Sequence, residues 1–463
     1  MIEDLLRFDV PVPRYTSYPT APQFAPQQPP FALEHLARLS SPCSLYIHIP
    51  FCRSMCLFCG CSVVLNRRPE RQARYLDALA SEIALVAAAA PLKRSVAQLH
   101  FGGGTPTSLS LAEMEELLAT LSRHFPFTPG AERSIEVDPR TVFEDRGEKL
   151  RALFRLGFNR ISFGVQDLDP AVQEAVRRRQ SEETSLFTLR LAQELGFSGI
   201  NVDLIYGLPL QTVSSFRLTA RTIGAARPDR IALFSYAKVP WLKPHQKAIP
   251  DESLPSTREK FEIYLAAREA FLEAGYVQIG MDHFALPTDE LARLPLTRNF
   301  QGYAAAKSQD LIGLGLSAIG SIGGAYTERG SNVGFGAGSA PTFEPRSVYL
   351  QNTKDLVAYE RALAQGCLPI ERGKRLTLDD EIRRYVIHTL MCDFSLDKRL
   401  FNERFGFPFD AYFRAERLRL LPELLEESPT HLAATPLGRL FIRVAVSPFD
   451  AYLQRGGQFS KGV

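Results

Sequence analysis

Four cysteines fall within ten positions, Cys52, Cys56, Cys59 and Cys61, in the stretch IPFCRSMCLFCGCSVV, directly after an apolar run that reads as a strand. A disulfide framework fits them poorly, because a bonded pair one or two residues apart is geometrically strained and such frameworks belong to oxidising compartments. The total of seven is odd, and Cys43, Cys367 and Cys392 are scattered. Structural zinc would call for a second tight pair of Cys or His elsewhere, and the sequence has none. His48, close upstream, reads by strand parity as a core or barrel-lining side chain. The C-x3-C-x2-C spacing of Cys52, Cys56 and Cys59 instead suits a cubane iron-sulfur cluster held by thiolates at three irons, with the fourth iron left open to a non-protein ligand. An open iron is a place for chemistry.

The elements that must position such a loop follow from the hydrophobic pattern. Short β-rich runs, SLYIHIP (44–50), VAQLHFGGG (96–104), RSIEVD (133–138), RISFGVQ (160–166), GINVDLIYG (199–207) and RIALFSYA (230–237), alternate with amphipathic stretches such as SLAEMEELLATLSRHF. Six βα units in succession predict an α/β fold with parallel strands and right-handed crossovers, an incomplete (β/α)6 barrel of the TIM kind. Barrels of this type carry their chemistry at the C-terminal ends of the strands. The cysteine loop, Gly102–Thr105, Glu136 and Asp138, Gln166 and Asp167, Asn201 and Asp203, and Tyr236 and Ala237 all fall there, so together they describe one rim. The glycine run suits close approach of a ligand and offers amide N–H groups or a strand edge to its charged end. GGGTPTSL has neither the Gly-Lys-Ser/Thr ending of a phosphate loop nor the spaced glycines of a dinucleotide site.

Composition narrows the class without naming a function. With 463 residues, 45% hydrophobic and 23% charged, and a formal net charge of +3, the chain is long enough for two or three domains and is neither disordered nor a polyanion binder. The first residues carry acids early, and no basic stretch is followed by a long apolar one. No secretory leader and no membrane span are therefore expected, and the expected address is cytoplasmic.

The cysteine spacing, with Phe58 just before the last thiolate, resembles the signature of the radical S-adenosylmethionine superfamily. PVPRYTSYPTA, YIHIPFCRSMCLFCGC, QLHFGGGTPT, SIEVDPR, GFNRISFGVQD, NVDLIYGLP, IGMDHFA and RNFQGY, in this order, resemble the oxygen-independent coproporphyrinogen III oxidases. That resemblance implies a [4Fe-4S] cluster, two S-adenosylmethionine molecules, and conversion of the ring A and B propionates of coproporphyrinogen III into vinyls with release of carbon dioxide. It implies that Cys52, Cys56 and Cys59 bind the cluster. Tyr46, Gly103, Glu136, Ala237 and Ile319 would surround the cluster-bound adenosylmethionine, and Phe58, Gly104, Thr105, Gln166, Arg178 and Asp203 the second. Cys61 matches a fourth cysteine that is not a ligand, and Gln301 is a further candidate near the site. A low-potential electron donor and an electron acceptor are implied but unidentified. No nucleic acid is expected as a partner, and the chain is expected to be a monomer. Relatives that bind heme as chaperones, or that methylate heme by radical chemistry, remain alternatives; the GC after the cysteine triad and the RYTSYPT arm separate the chain from them.

The expected organisation is an N-terminal arm (1–43), the partial barrel (44–285), a barrel extension with a glycine-rich loop (286–369), and a small, mostly helical, winged-helix-like C-terminal domain (370–463). Tyr15 and Tyr18 are read as part of a flap over the barrel mouth. The stretch 327–347 departs from the family pattern and reads as a flexible insertion, which makes Ile319 a less secure match.

Overall fold

The structure, a computed structural model, describes residues 5–92, 94–305, 307–308, 310–323, 347–453 and 459. Nearly all of the 327–347 insertion lies outside the described residues. Six parallel strands form the heart of the chain: β1 (Cys43–Ile49), β2 (Val96–Gly103), β3 (Phe127–Val137), β4 (Arg160–Gln166), β5 (Gly199–Tyr206) and β6 (Arg230–Ser235). They hydrogen-bond in chain order. Between them run α1 (Pro69–Ala89), α2 (Leu111–His124), α3 (Glu148–Arg155), α4 (Glu182–Leu195) and α5 (Val213–Ala226), and α6 (Thr257–Glu273) follows β6. The helix starts are written locally. Proline opens α1, and Ser110 with Glu113 and Ser256 with Glu259 form reciprocal caps on α2 and α6.

Alternation along each strand separates two faces. Ile135, Val137, Ile161, Phe163, Val202 and Leu204 are buried in the main apolar core, while the intervening positions point into the lumen. In closed eight-stranded barrels those inward positions are filled by branched apolar side chains. Here they include Ser44, Ser134, Ser162, Gly164 and Gly199, and the lumen remains a cavity of about 720 Å³.

The sheet does not end at the six strands. On the β6 side it gains β7 (Val277–Ile279) and β8 (His283–Ala285), both antiparallel. On the β1 side, β9 (Leu311–Leu314) adds in parallel, with Leu311 opposite Ser44, followed by the antiparallel strands β10 (Ile319–Ile322), β11 (Val348–Asn352) and β12 (Ile370–Arg375). Among the described residues, with the short strand Ala25–Pro26 the sheet has thirteen strands. The extension is fastened by one buried carboxylate. Glu82 on α1 accepts from the Gly315 N–H (2.8 Å), the Asn352 amide (2.6 Å) and the Tyr359 hydroxyl (2.5 Å). Burial lifts its pKa to about 7 in spite of those donors.

The C-terminal region packs α7 (Leu378–Asp393) against a small antiparallel sheet of Ser395–Asp397, His431–Ala434 and Leu425–Glu427. The N-terminal arm is bound to this region: Tyr15 donates to Asp450 (3.1 Å), and the Arg443 guanidinium donates to the carbonyls of Val12 and Pro13. Among the described residues, no helix is long and apolar enough to cross a membrane.

Candidate active site

The cysteine loop leaves the C-terminal end of β1 and is held from two sides. Ile49 lies opposite Gly103 in the β1–β2 register, which sets the glycine run directly against the chain that enters the loop. The Gly104 N–H donates to the Ile49 carbonyl (2.8 Å) and the Thr105 N–H to the Phe51 carbonyl (2.9 Å). From the segment after β6, Lys243 donates to the Cys61 carbonyl (2.7 Å), His245 lies 2.9 Å from the Cys59 carbonyl, and Gln246 donates to the Phe58 carbonyl (3.0 Å). A loop with little secondary structure of its own thus has its backbone carbonyls satisfied by side chains from another unit.

Cys52, Cys56 and Cys59 all line the cavity, with Cys61 beside them. Their surroundings differ. Burial pushes the Cys52 thiol up to about 11, although Thr105 Oγ1 is 3.3 Å away. Cys56 has the Arg178 guanidinium 3.6 Å from its sulfur. Cys59 is brought down to about 6, first by the Cys61 thiol, which bonds to its sulfur, and further by Lys243 and His245. Cys61 moves the opposite way, because its proton is held in that bond. Among the described residues, no three His, Cys, Asp or Glu side chains are gathered as ligands of a single ion would be. In a cubane, each thiolate ligates a separate iron.

The glycines make room for close approach. Gly103 has φ +115°, and a Cβ there would sit 2.6 Å from the His48 ring; a Cβ on Gly104 would meet the Pro50 carbonyl at 2.6 Å. The expectation that their amides face a ligand needs correcting. The Gly103 N–H donates to Glu136 Oε2 at 3.0 Å and the next two amides are used by β1 and its loop, so the run serves close backbone approach rather than amide donation.

Two carboxylates on β3 and β5, either side of β4, are tuned apart. Burial would raise Glu136, but His100 (3.3 Å) and the Gly103 N–H hold it below its ordinary value. Asp203 rises to about 6, through burial and then the negative charge of Glu136, in spite of Ser162 (3.1 Å) and Asn201 (2.7 Å) donating to it. Next to them stands a clamp that sequence reading overlooked. Arg140 grips Asp138 through both carboxylate oxygens (2.5 and 3.0 Å), and Arg178 approaches the same group at 3.5 Å while donating to the Gly164 carbonyl at 2.5 Å. Burial opposes ionisation of Asp138, yet the two guanidinia bring it to about 2.

The structure places Phe58, Gly103, Gly104, Thr105, Glu136 and Gln166 on the cavity wall, and likewise Arg178, Asp203, Ala237 and Gln301. Gln166 adopts a left-handed backbone (φ 72°) where the β4–β5 register shifts. Tyr46 and Ile319 stand apart from that wall: Tyr46 bonds to His48 (2.9 Å) and stacks on His100, and Ile319 packs against the cluster of Phe24, Tyr349 and Leu376. Asp167, on the predicted rim, is buried and held by Gln211 (2.6 Å) and Thr219 (2.8 Å). The Arg140 clamp, His100 and the Lys243–His245 segment had only one signal in the sequence: position within a strand's inward-facing set, or nearness to a strand end.

Several buried polar atoms at this end have no hydrogen-bond partner, among them Arg178 Nε, Asn201 Oδ1 and the Tyr236 hydroxyl. Native interiors seldom leave such atoms unsatisfied unless something else binds there. Three thiols on one loop, a bare glycine approach and unsatisfied polar atoms around a common cavity fit an iron-sulfur cluster with a polar organic ligand.

This architecture and cysteine set define a radical SAM enzyme, and residues 46–223 match the radical SAM superfamily. Residues 376–441 match the HemN C-terminal domain. The chain is 41% identical, over 98% of its length and 95% of the relative's, to an oxygen-independent coproporphyrinogen III oxidase of Synechocystis sp., and 42% identical, over 97% of its length and 95% of the relative's, to that of Escherichia coli. The solved coproporphyrinogen III oxidase HemN from Escherichia coli, a radical SAM enzyme, superposes with a TM-score of 0.86 over 95% of this chain and 98% of that one, at 40% identity. The chain belongs to the oxygen-independent coproporphyrinogen III oxidase family.

Proposed function

We propose that this chain catalyses the oxidative decarboxylation of the ring A and ring B propionates of coproporphyrinogen III to vinyls, giving protoporphyrinogen IX in heme biosynthesis. The observation that carries the reading is the convergence of Cys52, Cys56 and Cys59 with Gly103, Glu136 and Asp203 on one lumen, in a chain related over nearly its full length to coproporphyrinogen oxidases. A [4Fe-4S] cluster held by Cys52, Cys56 and Cys59, together with S-adenosylmethionine, supplies hydrogen-atom abstraction charged by one external electron.

The protein's own residues do the rest. The Lys243, His245 and Gln246 side chains fix the backbone of the cysteine loop, so the three sulfurs keep their places as the ligand changes. Ionised Glu136 suits a cationic amine or ribose hydroxyls. In the assignment carried from the family, Tyr46, Ala237 and Ile319 join Gly103 and Glu136 around the first adenosylmethionine. Phe58, Gly104, Thr105, Gln166, Arg178 and Asp203 surround a second. The unpartnered Arg178 Nε, on a side chain that lines the cavity, leaves a donor for a carboxylate. Abstraction from the propionate β-carbon, loss of carbon dioxide and departure of one electron leave the vinyl, so the balance requires an electron acceptor as well as a donor. A primary radical requires a lumen shielded from water, and the arm contributes Arg14 to its wall. We divide the chain at residues 43, 285 and 369 and place the enzyme in the cytoplasm as a monomer.

Anaerobic assay of the reconstituted protein with coproporphyrinogen III tests this. Stoichiometric 5′-deoxyadenosine with loss of two carboxylates supports it. Heme binding without adenosylmethionine cleavage, or transfer of a methyl group, would replace it with a chaperone or methyltransferase role.

A further inference from the structure

A substrate with four propionates needs fixed positive charge, and the cavity wall holds five arginines: Arg14, Arg140, Arg160, Arg178 and Arg230. Four already have a carboxylate partner. Arg140 and Arg178 share Asp138 (2.5 and 3.5 Å), Arg160 pairs with Glu132 (2.9 Å) and Glu290 (2.7 Å), and Arg230 with Asp289 (2.7 Å). Arg14 differs. Among the described residues its guanidinium makes no ion pair, and its hydrogen bond goes to the carbonyl of Ser235 at 2.7 Å. The carboxylate whose field it feels most, Asp282, is occupied by His283 (2.7 Å) and Arg298 (3.6 Å). A desolvated guanidinium without a counter-ion is unfavourable unless a ligand supplies one.

The chain also holds this residue in place with unusual care. The carbonyls of Val12 and Pro13 both accept from Arg443, and the Arg14 carbonyl accepts from Arg298 at 3.4 Å. The next residue, Tyr15, is left-handed at φ 46° and is tied to Asp450 through its hydroxyl. An aromatic residue in that region is strained, and such strain persists where surrounding contacts over-determine the backbone. The result is one arginine, delivered by the arm and not by the barrel, that reaches the end of β6 beside Ala237 and shares the cavity with Gln301 and Tyr303.

We infer that Arg14 is the anchor for a non-reacting carboxylate of the substrate, and so a specificity-determining residue. The inference rests on the coproporphyrinogen reading above. The same chemistry could serve the carboxylate of S-adenosylmethionine, so the test separates the two sources.

The reconstituted full chain is titrated, without oxygen, with coproporphyrin III and with its uncharged tetraamide, followed by porphyrin fluorescence. Arg14→Gln should weaken coproporphyrin III by about tenfold or more, as loss of a charge-assisted contact does, and leave the tetraamide unchanged. Arg14→Lys should recover part of the loss. Dithionite-driven formation of 5′-deoxyadenosine without porphyrin should be the same in all three proteins. Equal loss for both porphyrins would reduce Arg14 to a shape role, loss of porphyrin-free cleavage would assign it to adenosylmethionine, and unchanged binding would sink the inference outright. Failure of the unmodified protein to bind coproporphyrin III would overturn the functional reading itself and this inference with it.

Discussion

The two ends of the lumen treat charge in opposite ways. At the lower end, where β3 to β6 begin, Glu132, Arg160, Asp289, Glu290, Arg230 and Lys307 neutralise one another, with Arg160 only 8% and Asp289 2% exposed. At the cysteine end, polar atoms of Arg178 and Tyr236 have no hydrogen-bond partner, two guanidinia share Asp138, and Asp203 sits next to a like charge; at the lower end Arg230 Nη2 also lacks a hydrogen-bond partner, but Asp289 matches its charge. A buried network in which every charge is matched closes a barrel, whereas one with missing partners is a place for ligands. The difference is not in residue type, since both ends use arginines and carboxylates, but in whether the protein itself completes the pairs.

Removing a sulfur should break the contrast most severely. Cys56→Ala is expected to lower turnover by about a thousandfold or more, equivalent to about 4 kcal/mol in the barrier, with loss of iron and of the brown colour in anaerobically purified protein. A variant that kept its iron and its rate would refute the assignment of the open end.

Next in size is the closed end. Arg160→Met leaves Glu132 and Glu290 without their guanidinium, and breaking a buried pair from one side costs about 3 kcal/mol. The thermal midpoint should fall, while iron content per folded molecule stays the same. If cluster loading fell in proportion, the two ends would not be independent.

A smaller effect is expected at the glycine approach. The added methyl of Gly104→Ala would press on the Pro50 carbonyl at 2.6 Å and the Phe51 carbonyl at 2.8 Å, and overpacking of this sort costs about 1–3 kcal/mol. S-adenosylmethionine affinity should weaken by about tenfold, as read by equilibrium dialysis. Unchanged affinity would mean that this backbone need not approach the ligand closely.

The smallest concerns pH. Asp203, raised to about 6 in the folded chain, binds more protons folded than unfolded, so its folded form loses stability as pH rises through that value. Between pH 5.5 and 7.5 this amounts to roughly 1 kcal/mol. Measured against Asp203→Asn, which cannot titrate, the thermal midpoint of the natural chain should drop over this interval. A difference that stayed flat, or rose, would show that Asp203 does not titrate over this interval.

Much of this was legible in order along the chain. The strands RISFGVQ and β4 coincide at residues 160–166, and the cysteine loop, the glycine run, Glu136 and Asp203 fall where the alternation of six units predicts. Strand period and strand end are local properties, readable without knowing what lies opposite. The third strand was read too short, as 133–138, because Pro129 and Gly130 interrupt its beginning; pairing with β2 carries it from Phe127 to Val137.

Residue types and spacing were enough to determine that three thiols would share a loop, that the barrel would be partial, and that acids and glycines would gather at one rim, because each is a consequence of short-range geometry. Tertiary structure alone decided that β9, more than 260 residues after β1, would lie beside it, that Arg178, from the next unit, would join Arg140 on Asp138, and that Arg14 would reach the lumen without a counter-ion. Those facts depend on which groups distant segments bring within a few ångströms, and Coulomb and hydrogen-bond energies fall off over just that distance.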